Sequence, residues 1–451
     1  MAAEKELFAS ARQVLEKNWR GTYTSPSPQL YPHQWSWDSA FVAIGYSHYA
    51  QVNAQRELVS IFEGQWANGM LPHIVFHSAS PYFPGPEYWQ IALSRDAPRI
   101  ETSGITQPAV HAIAALEIYR NAGDRQSARG FLKEIFPRIL AFHRYLFTRR
   151  DPEESGLITI FHPWESGLDN SVRWDEALAR IRVEGLPQYE RLDTRRVDPV
   201  QRPSDDVYDR FIYLTEIMKH YRYDDEAIYE KIPFKIKDIV FSSIAYRANQ
   251  SLAKIADIIG EGKNEIESWI GRTQEHYFDY FCSRETGYHM VYDFDLVSGR
   301  RIEKRTAASL ISLYTDLLSQ EQAATTVEWM QHAYYCTELC AAEHAVITSV
   351  SVDSPDFNPF NYWRGPVWIN INWMLYNGLK QYGFSKDAEL LRKALIDLVA
   401  EHGFHEYYNP LSGDGLGASD FSWTAALLID LLPGSRAPAS GILNTSGGGP
   451  G

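Results

Sequence analysis

Cysteine is nearly absent. Cys282, Cys336 and Cys340 are the only three in 451 residues, an odd and sparse set that offers no disulfide framework and suits a reducing compartment. Cys336 and Cys340 can share a helix face by spacing, but no second Cys or His pair stands near them, so buried thiols are expected rather than a metal site. Positive charge is also short: 43 Lys and Arg against 57 Asp and Glu leave a net charge of −14. A field of that sign repels polyanions, which excludes nucleic acid and anionic membrane surfaces as expected partners. Long apolar runs are missing, so no stretch is expected to span a bilayer. Met1 to Trp19 interleaves charges with Leu7, Phe8, Ala11, Val14 and Leu15 and carries no cleavage pattern, so it reads as a helix and the protein as cytoplasmic. No G-x-S-x-G elbow occurs. Gly413 to Gly417 lacks the lysine and strand context of a phosphate loop, and His73 and His77 follow Pro72 without an acidic partner; no metal and no cofactor is expected.

Strand signals are scarce too. Leu157–Ile160 and Tyr288–Phe294 are the main ones, and neither alternates with helices as parallel-sheet units would. Helical periodicity fills the rest, with apolar stripes near residues 4–18, 38–66, 106–121, 131–147, 206–220, 236–259, 263–281, 304–332, 364–402 and 420–433. About a dozen helices with short turns can pack as antiparallel pairs and close into a ring, leaving one rim of loops for chemistry. No repeat is visible, which favours a closed toroid over an open solenoid. Residues 180–235 are richer in charge and proline and read as an insertion over that rim, within a single domain spanning 1–433. The small, polar, glycine-rich stretch 434–451 reads as a disordered tail.

Aromatic residues are in excess, with 13 Trp, 27 Tyr and 21 Phe. Two aromatic segments each carry an acidic residue in a glycine-punctuated loop: Trp164 to Ser171, containing Glu165 and Asp169, and Phe404 to Pro410, containing Glu406. Glycoside cleavage needs one carboxylic acid to protonate the departing oxygen, a second carboxylate across the ring, and flat apolar surfaces for the sugar. Each acid has a plainer reading, Asp169 as a cap for a helix starting near Ser171 and Glu406 as a partner for an arginine. Asp38, between Trp37 and Ser39, is either a first-turn helix acid or a grip on sugar hydroxyls beside Trp35 and Trp37.

Trp35 to Phe41, Ile105 to Pro108, Trp164 to Ser171, Tyr362 to Trp368, and Phe404 to Tyr408 with Gly415 to Gly417 and Phe421 to Thr424 together resemble glycoside hydrolase family 63. Leu71-Pro72-His73, Pro81-Tyr82-Phe83 and Arg202 to Asp205 look most like its mannosylglycerate hydrolases. The resemblance implies an (α/α)6 barrel and an inverting hydrolase of 2-O-α-mannosylglycerate and its glucosyl analogue. It makes Asp169 the general acid and Glu406 the general base.

Such a substrate is a small anionic glycoside, and within a negative protein its carboxylate needs a local partner. Arg202 and Tyr208 in the rim segment, with His73 and Gln107, are the candidates, since arginine offers a planar fork that matches a carboxylate. Tyr31, Tyr82, Trp164, Tyr362, Trp363, Gly365, Trp368 and Trp423 complete the candidate sugar-contacting set, and Arg364 is expected to pack and position. The alternatives are a neutral α-glucosidase of the same family, a sugar isomerase on a helical barrel, and a non-catalytic sugar binder. A homo-oligomer is compatible with the sequence.

Overall fold

In the computed structural model, residues 2–77, 80–283, 290–331 and 346–432 are described. The chain alternates between an outer and an inner ring of helices. Outer α1 (Ala2–Asn18) leads to inner α2 (Ser36–Ser47), outer α3 (Gln51–Glu63) to inner α5 (His111–Asn121), with the short α4 (Pro86–Trp89) between them. Outer α6 (Arg125–Arg149) precedes a rim excursion holding α7 (Asp175–Ala179), α8 (Asp205–His220) and α9 (Asp225–Lys231) before inner α10 (Ile239–Ile259). Outer α11 (Asn264–Phe281) is followed by an inner 3-10 helix, Ala307–Tyr314. Outer α12 (Gln320–Gln331), inner α13 (Ile369–Gln381), outer α14 (Ser385–His402) and inner α15 (Ser422–Leu431) complete the circuit.

Around the inner ring α2 packs on α5, α5 on α10, α10 on the 3-10 helix, that helix on α13, α13 on α15, and α15 back on α2. The ring is closed, and the architecture is the (α/α)6 barrel. Inner elements are apolar on every side because the outer ring covers one face and the barrel interior the other: every residue of α2, of Ala307–Tyr314 and of α15 is buried. At the seam between first and last inner helices, a β-carbon on Gly45 would lie 2.5 Å from the Ala426 backbone, so only glycine permits this approach.

Three expected helices divide. Stripe 38–66 breaks at His48 to Ala50, where His48 is held 2.9 Å from Asp430, and stripe 364–402 breaks at Gly383, which takes φ +81°. Stripe 304–332 breaks at Ser319, whose amide donates to Gln322 Oε1 at 2.8 Å while its hydroxyl accepts from the Gln322 amide at 3.2 Å. That reciprocal pair starts a new helix. Stripe 106–121 begins only at His111, because Pro108 keeps the residue before it extended. Within the rim segment, 205–220 is a helix with Phe211, Ile212 and Leu214 fully buried, so only the irregular stretch before it lies as a cover.

Strands are few and short, and most gather at the rim. A four-stranded sheet runs β3 (Thr159–Ile160), β4 (Ile236–Lys237), β5 (Asp293–Asp295), β6 (Arg300–Ile302), while β1 (Gln34–Trp35) pairs with β2 (Ile74–Val75) and β7 (His405–Tyr408) with β8 (Gly415–Ser419). Of the second strand expected at 288–294, residues 288 and 289 lie outside the described residues, as do Cys336, Cys340 and the tail 434–451. Cys282 is buried, as expected for a structural thiol. Among the described residues no helix is long and apolar enough to cross a membrane.

Candidate active site

The acidic segments meet. Asp169 sits on a tight turn between the 3-10 helix Pro163–Ser166 and a second one, Val172–Trp174. Ser171, not Asp169, caps that second helix, so the capping role is taken and the Asp169 carboxyl is left for the cleft. Gly167 makes the turn possible at φ +72°, where a β-carbon would press to 2.4 Å from the Trp37 ring. Trp174 Nε1 donates to the Leu168 carbonyl at 2.9 Å and fixes the residue before the acid.

Glu406 lies on a strand rather than a loop. The β7–β8 ladder shifts register between His405 and Tyr407, so Glu406 occupies an irregularity of the kind that re-aims a side chain. Its carboxylate accepts from Tyr31 Oη at 2.8 Å and from the Ala418 amide at 3.0 Å, and Arg202 Nη2 stands 3.5 Å away. The arginine pairing offered by the sequence is therefore real, and it sits inside the cleft. Gly417 opposite takes φ +67°, and a β-carbon there would fall 2.4 Å from Glu406 Oε2.

Both carboxyls line one cleft, whose empty volume is about 990 Å³ including the open space at its mouth. Burial raises the Asp169 carboxyl to about 7; Arg202 opposes this shift and Glu406 adds to it. Asp169 is partly open to the cleft by surface area, yet protein atoms surround the carboxyl and exclude bulk water. Asp38, in the first turn of α2, is buried and held well above the usual carboxylate range by burial, against its own backbone amide, with Glu406, Glu57 and Asp169 adding repulsion. Glu57 behind it, raised by burial to about 8, accepts from Thr24 and Ser39 hydroxyls at 2.7 Å each.

Of the sequence candidates, Tyr31, Trp35, Trp37, Asp38, His73, Tyr82, Gln107, Trp164, Arg202, Tyr208, Tyr362 and Trp423 line the cleft with Asp169 and Glu406. Trp363 and Trp368 do not. They are buried and stack on one another at 3.7 Å behind the wall, and Trp368 Nε1 holds the Tyr362 carbonyl at 3.0 Å. Gly365 also lies off the cleft, where a side chain would strike the Asn358 carbonyl. Glu165 is engaged away from the cleft: each of its oxygens accepts a hydrogen bond from Arg150 at 2.8 Å, in a buried two-pronged ion pair. Arg364 pairs with Asp175 and positions its turn, as expected.

His73 is not a cation, since burial lowers its imidazole to about 3. It offers the cleft a neutral ring near-parallel to Trp164 at 6.5 Å. Gln107 Oε1 accepts from the Trp37 amide at 3.3 Å, at a place where the residue lines the cleft. Arg202 is the charged candidate that fits: it is 5% exposed, lies 4.7 Å over the Tyr362 ring, and makes no hydrogen bond at Nε or Nη2, its Nη2 having only the 3.5 Å ion pair to Glu406. A buried donor left without a partner is costly, which is the mark of a group awaiting a ligand. Sequence reasoning missed Phe83, Leu192, Asp193, Arg196 and Phe421, all of which line the cleft. Each belongs to a quoted motif or lies in the charged rim run, but nothing local tells which side faces inward.

Paired carboxyls, one of them protonated near neutrality, in an aromatic cleft on an (α/α)6 rim define a glycosidase. The chain belongs to the mannosylglycerate hydrolase MGH1-like glycoside hydrolases, whose family model matches residues 31–424. It is 41% identical to a mannosylglycerate hydrolase of Rubrobacter radiotolerans, covering 95% of this chain and 97% of that one. It is 39% identical to a glucosylglycerate hydrolase of Mycolicibacterium hassiacum, covering 95% and 98%. The crystal structure of the family 63 mannosylglycerate hydrolase of Thermus thermophilus in complex with Tris and D-glycerate superposes with a TM-score of 0.87 at 42% identity, covering 94% of this chain and 99% of that one.

Proposed function

We propose that this glycosidase hydrolyses 2-O-α-mannosylglycerate, and its glucosyl analogue, to hexose and D-glycerate with inversion at the anomeric carbon. Asp169 protonates the oxygen joining sugar to glycerate as the C1–O bond breaks. Glu406 removes a proton from a water that attacks C1 from the opposite face, so the hexose leaves as its β anomer. Asp38 and Gln107 grip sugar hydroxyls between Trp35, Trp37, Trp164 and Trp423, and the Arg202 guanidinium receives the glycerate carboxylate.

The observation that carries this reading is the Arg202 fork, buried beside the two carboxyls with no hydrogen bond at Nε or Nη2 and only a 3.5 Å ion pair to Glu406, in a protein of net charge −14. A neutral glycoside would leave that fork unsatisfied, whereas the glycerate carboxylate completes it. The relatives that act on mannosylglycerate and glucosylglycerate support the same choice. The test compares hexose release from both glycerate glycosides with release from neutral α-glucosides such as maltose. Faster turnover of the charged substrates is expected; preference for the neutral ones would return the neutral α-glucosidase reading. A 2,4-dinitrophenyl hexoside, whose leaving group needs no proton, should recover turnover in Asp169→Asn, and failure to do so would remove Asp169 as the acid.

A further inference from the structure

Arg202 sits in an irregular rim stretch, yet its backbone is fixed on every side. Pro199–Gln201 form a single 3-10 turn, after which Arg202 is extended. Four successive carbonyls each accept from a side chain outside residues 199–203. Asn361 Nδ2 donates to Val200 O at 3.1 Å and to Arg202 O at 3.5 Å. Tyr407 Oη donates to Gln201 O at 3.3 Å, and Arg191 Nη1 to Pro203 O at 2.7 Å. Irregular backbone ordinarily keeps conformational freedom that must be lost on ligand binding. Here that freedom is already gone.

Two of these donors, Asn361 and Tyr407, connect to the residues beside the two carboxyls. Asn361 Oδ1 accepts from Asn170 Nδ2 at 2.6 Å, and Asn170 is the residue after Asp169. Asn170 Oδ1 in turn accepts from the Trp363 amide at 3.0 Å, which ties the same bond to the turn carrying Tyr362. On the other side Gln201 Oε1 accepts from the Gly417 amide at 3.0 Å, beside the Ala418 amide that holds Glu406. Tyr407, next to Glu406, supplies the hydroxyl on Gln201 O. Arg202 thus stands between two side-chain latches, Asn361 toward the acid and Gln201 toward the base.

We propose that Asn361 and Gln201 are positioning residues that set the Arg202 guanidinium against both carboxyls, and so determine selectivity for an anionic aglycone. The inference rests on the assignment of Arg202 to the glycerate carboxylate. Neither residue needs to touch substrate. Their effect passes through the placement of one fork, where a misplacement of about 1 Å is enough to lose a bidentate contact.

The test is inhibition of the full-length enzyme by D-glycerate and, separately, by mannose, in Gln201→Met and Asn361→Leu. Both substitutions keep the length of the side chain and remove its hydrogen-bonding groups. Each should raise the inhibition constant for D-glycerate about tenfold, close to 1.4 kcal/mol, and shift that for mannose less than about threefold. The KM for mannosylglycerate should rise by more than kcat falls. In an Arg202→Ala background neither latch substitution should weaken D-glycerate further, because coupled residues are non-additive. Equal weakening of both inhibitors, unchanged D-glycerate inhibition in both latch variants, or additivity with Arg202→Ala overturns the positioning role. If Arg202→Ala itself leaves D-glycerate inhibition intact, the carboxylate assignment falls and takes this inference with it. If only the latch variants fail to discriminate, the assignment stands and the latch alone is wrong. Mannose inhibition and the melting temperature report whether each variant is folded.

Discussion

At the scale of the residue, Asp169 keeps a proton near neutrality because burial disfavours its charged form and Glu406 adds repulsion, outweighing the Arg202 charge. With its carboxyl at about 7, the alkaline limb of kcat/KM should fall tenfold per pH unit above about 7. Asp169→Asn should lower kcat by about 10²–10⁴ and remove that limb; a profile unchanged by the substitution would assign the limb elsewhere. The same shift has a consequence for stability. The folded carboxyl binds its proton more tightly than an unfolded one, so its contribution is complete below about 4 and is lost as pH rises toward about 7. Asp169→Asn should therefore melt higher than the parent at pH 8, and a lower melting temperature would contradict the assigned burial cost. The place of Asp169 in the cleft was legible, since Gly167, Trp164 and Asn170 surround it in sequence. What was not legible is which tryptophans face the sugar. Trp363 and Trp164 look alike in sequence, but Trp363 stacks on Trp368 at 3.7 Å while Trp164 lines the cleft, and only the packing of other elements decides this. The charge state of His73 was hidden for the same reason: burial is a property of the neighbours.

At the scale of the element, Glu406, the proposed base, depends on a hairpin that sequence periodicity did not reveal. Strands β7 and β8 are short and interrupted by Pro410 and three glycines, so alternation is too weak to register. Their irregular pairing at Glu406 and the φ of +67° at Gly417 place the carboxylate. Gly417→Ala would set a β-carbon 2.4 Å from Glu406 Oε2 in a backbone region that disfavours side chains. We expect kcat to fall at least about tenfold, a loss of roughly 1.4 kcal/mol in transition-state stabilisation, with circular dichroism unchanged; parental kcat would show that Glu406 is not held by this strand. Helix ends were more legible than they were read. The Ser319–Gln322 box and Gly383 are local stop and start signals inside stripes that apolar spacing alone joins into one.

At the scale of the molecule, the ring closes where α15 meets α2, joining residues nearly four hundred positions apart. The helical class and the toroid were legible, because about a dozen amphipathic or wholly apolar segments have few other ways to bury every inner face. The seam was not, since it depends on Gly45 meeting Ala426. Gly45→Ala should destabilise the protein by about 1–3 kcal/mol through overpacking, read as a lower denaturant midpoint, while kcat stays at the parental value; an unshifted midpoint would show that the seam can open without strain. In the proposed mechanism the barrel brings Asp169 and Glu406, from distant parts of the chain, into one cleft on opposite sides of one substrate. Proton NMR of fresh 2-O-α-mannosylglycerate hydrolysis tests this most directly, recorded before the released sugar can mutarotate. β-Mannose should appear first, with the α anomer growing in only afterwards; α-mannose as the first product, or no mannose at all, would contradict the assignment of Asp169 as acid and Glu406 as the base that activates water.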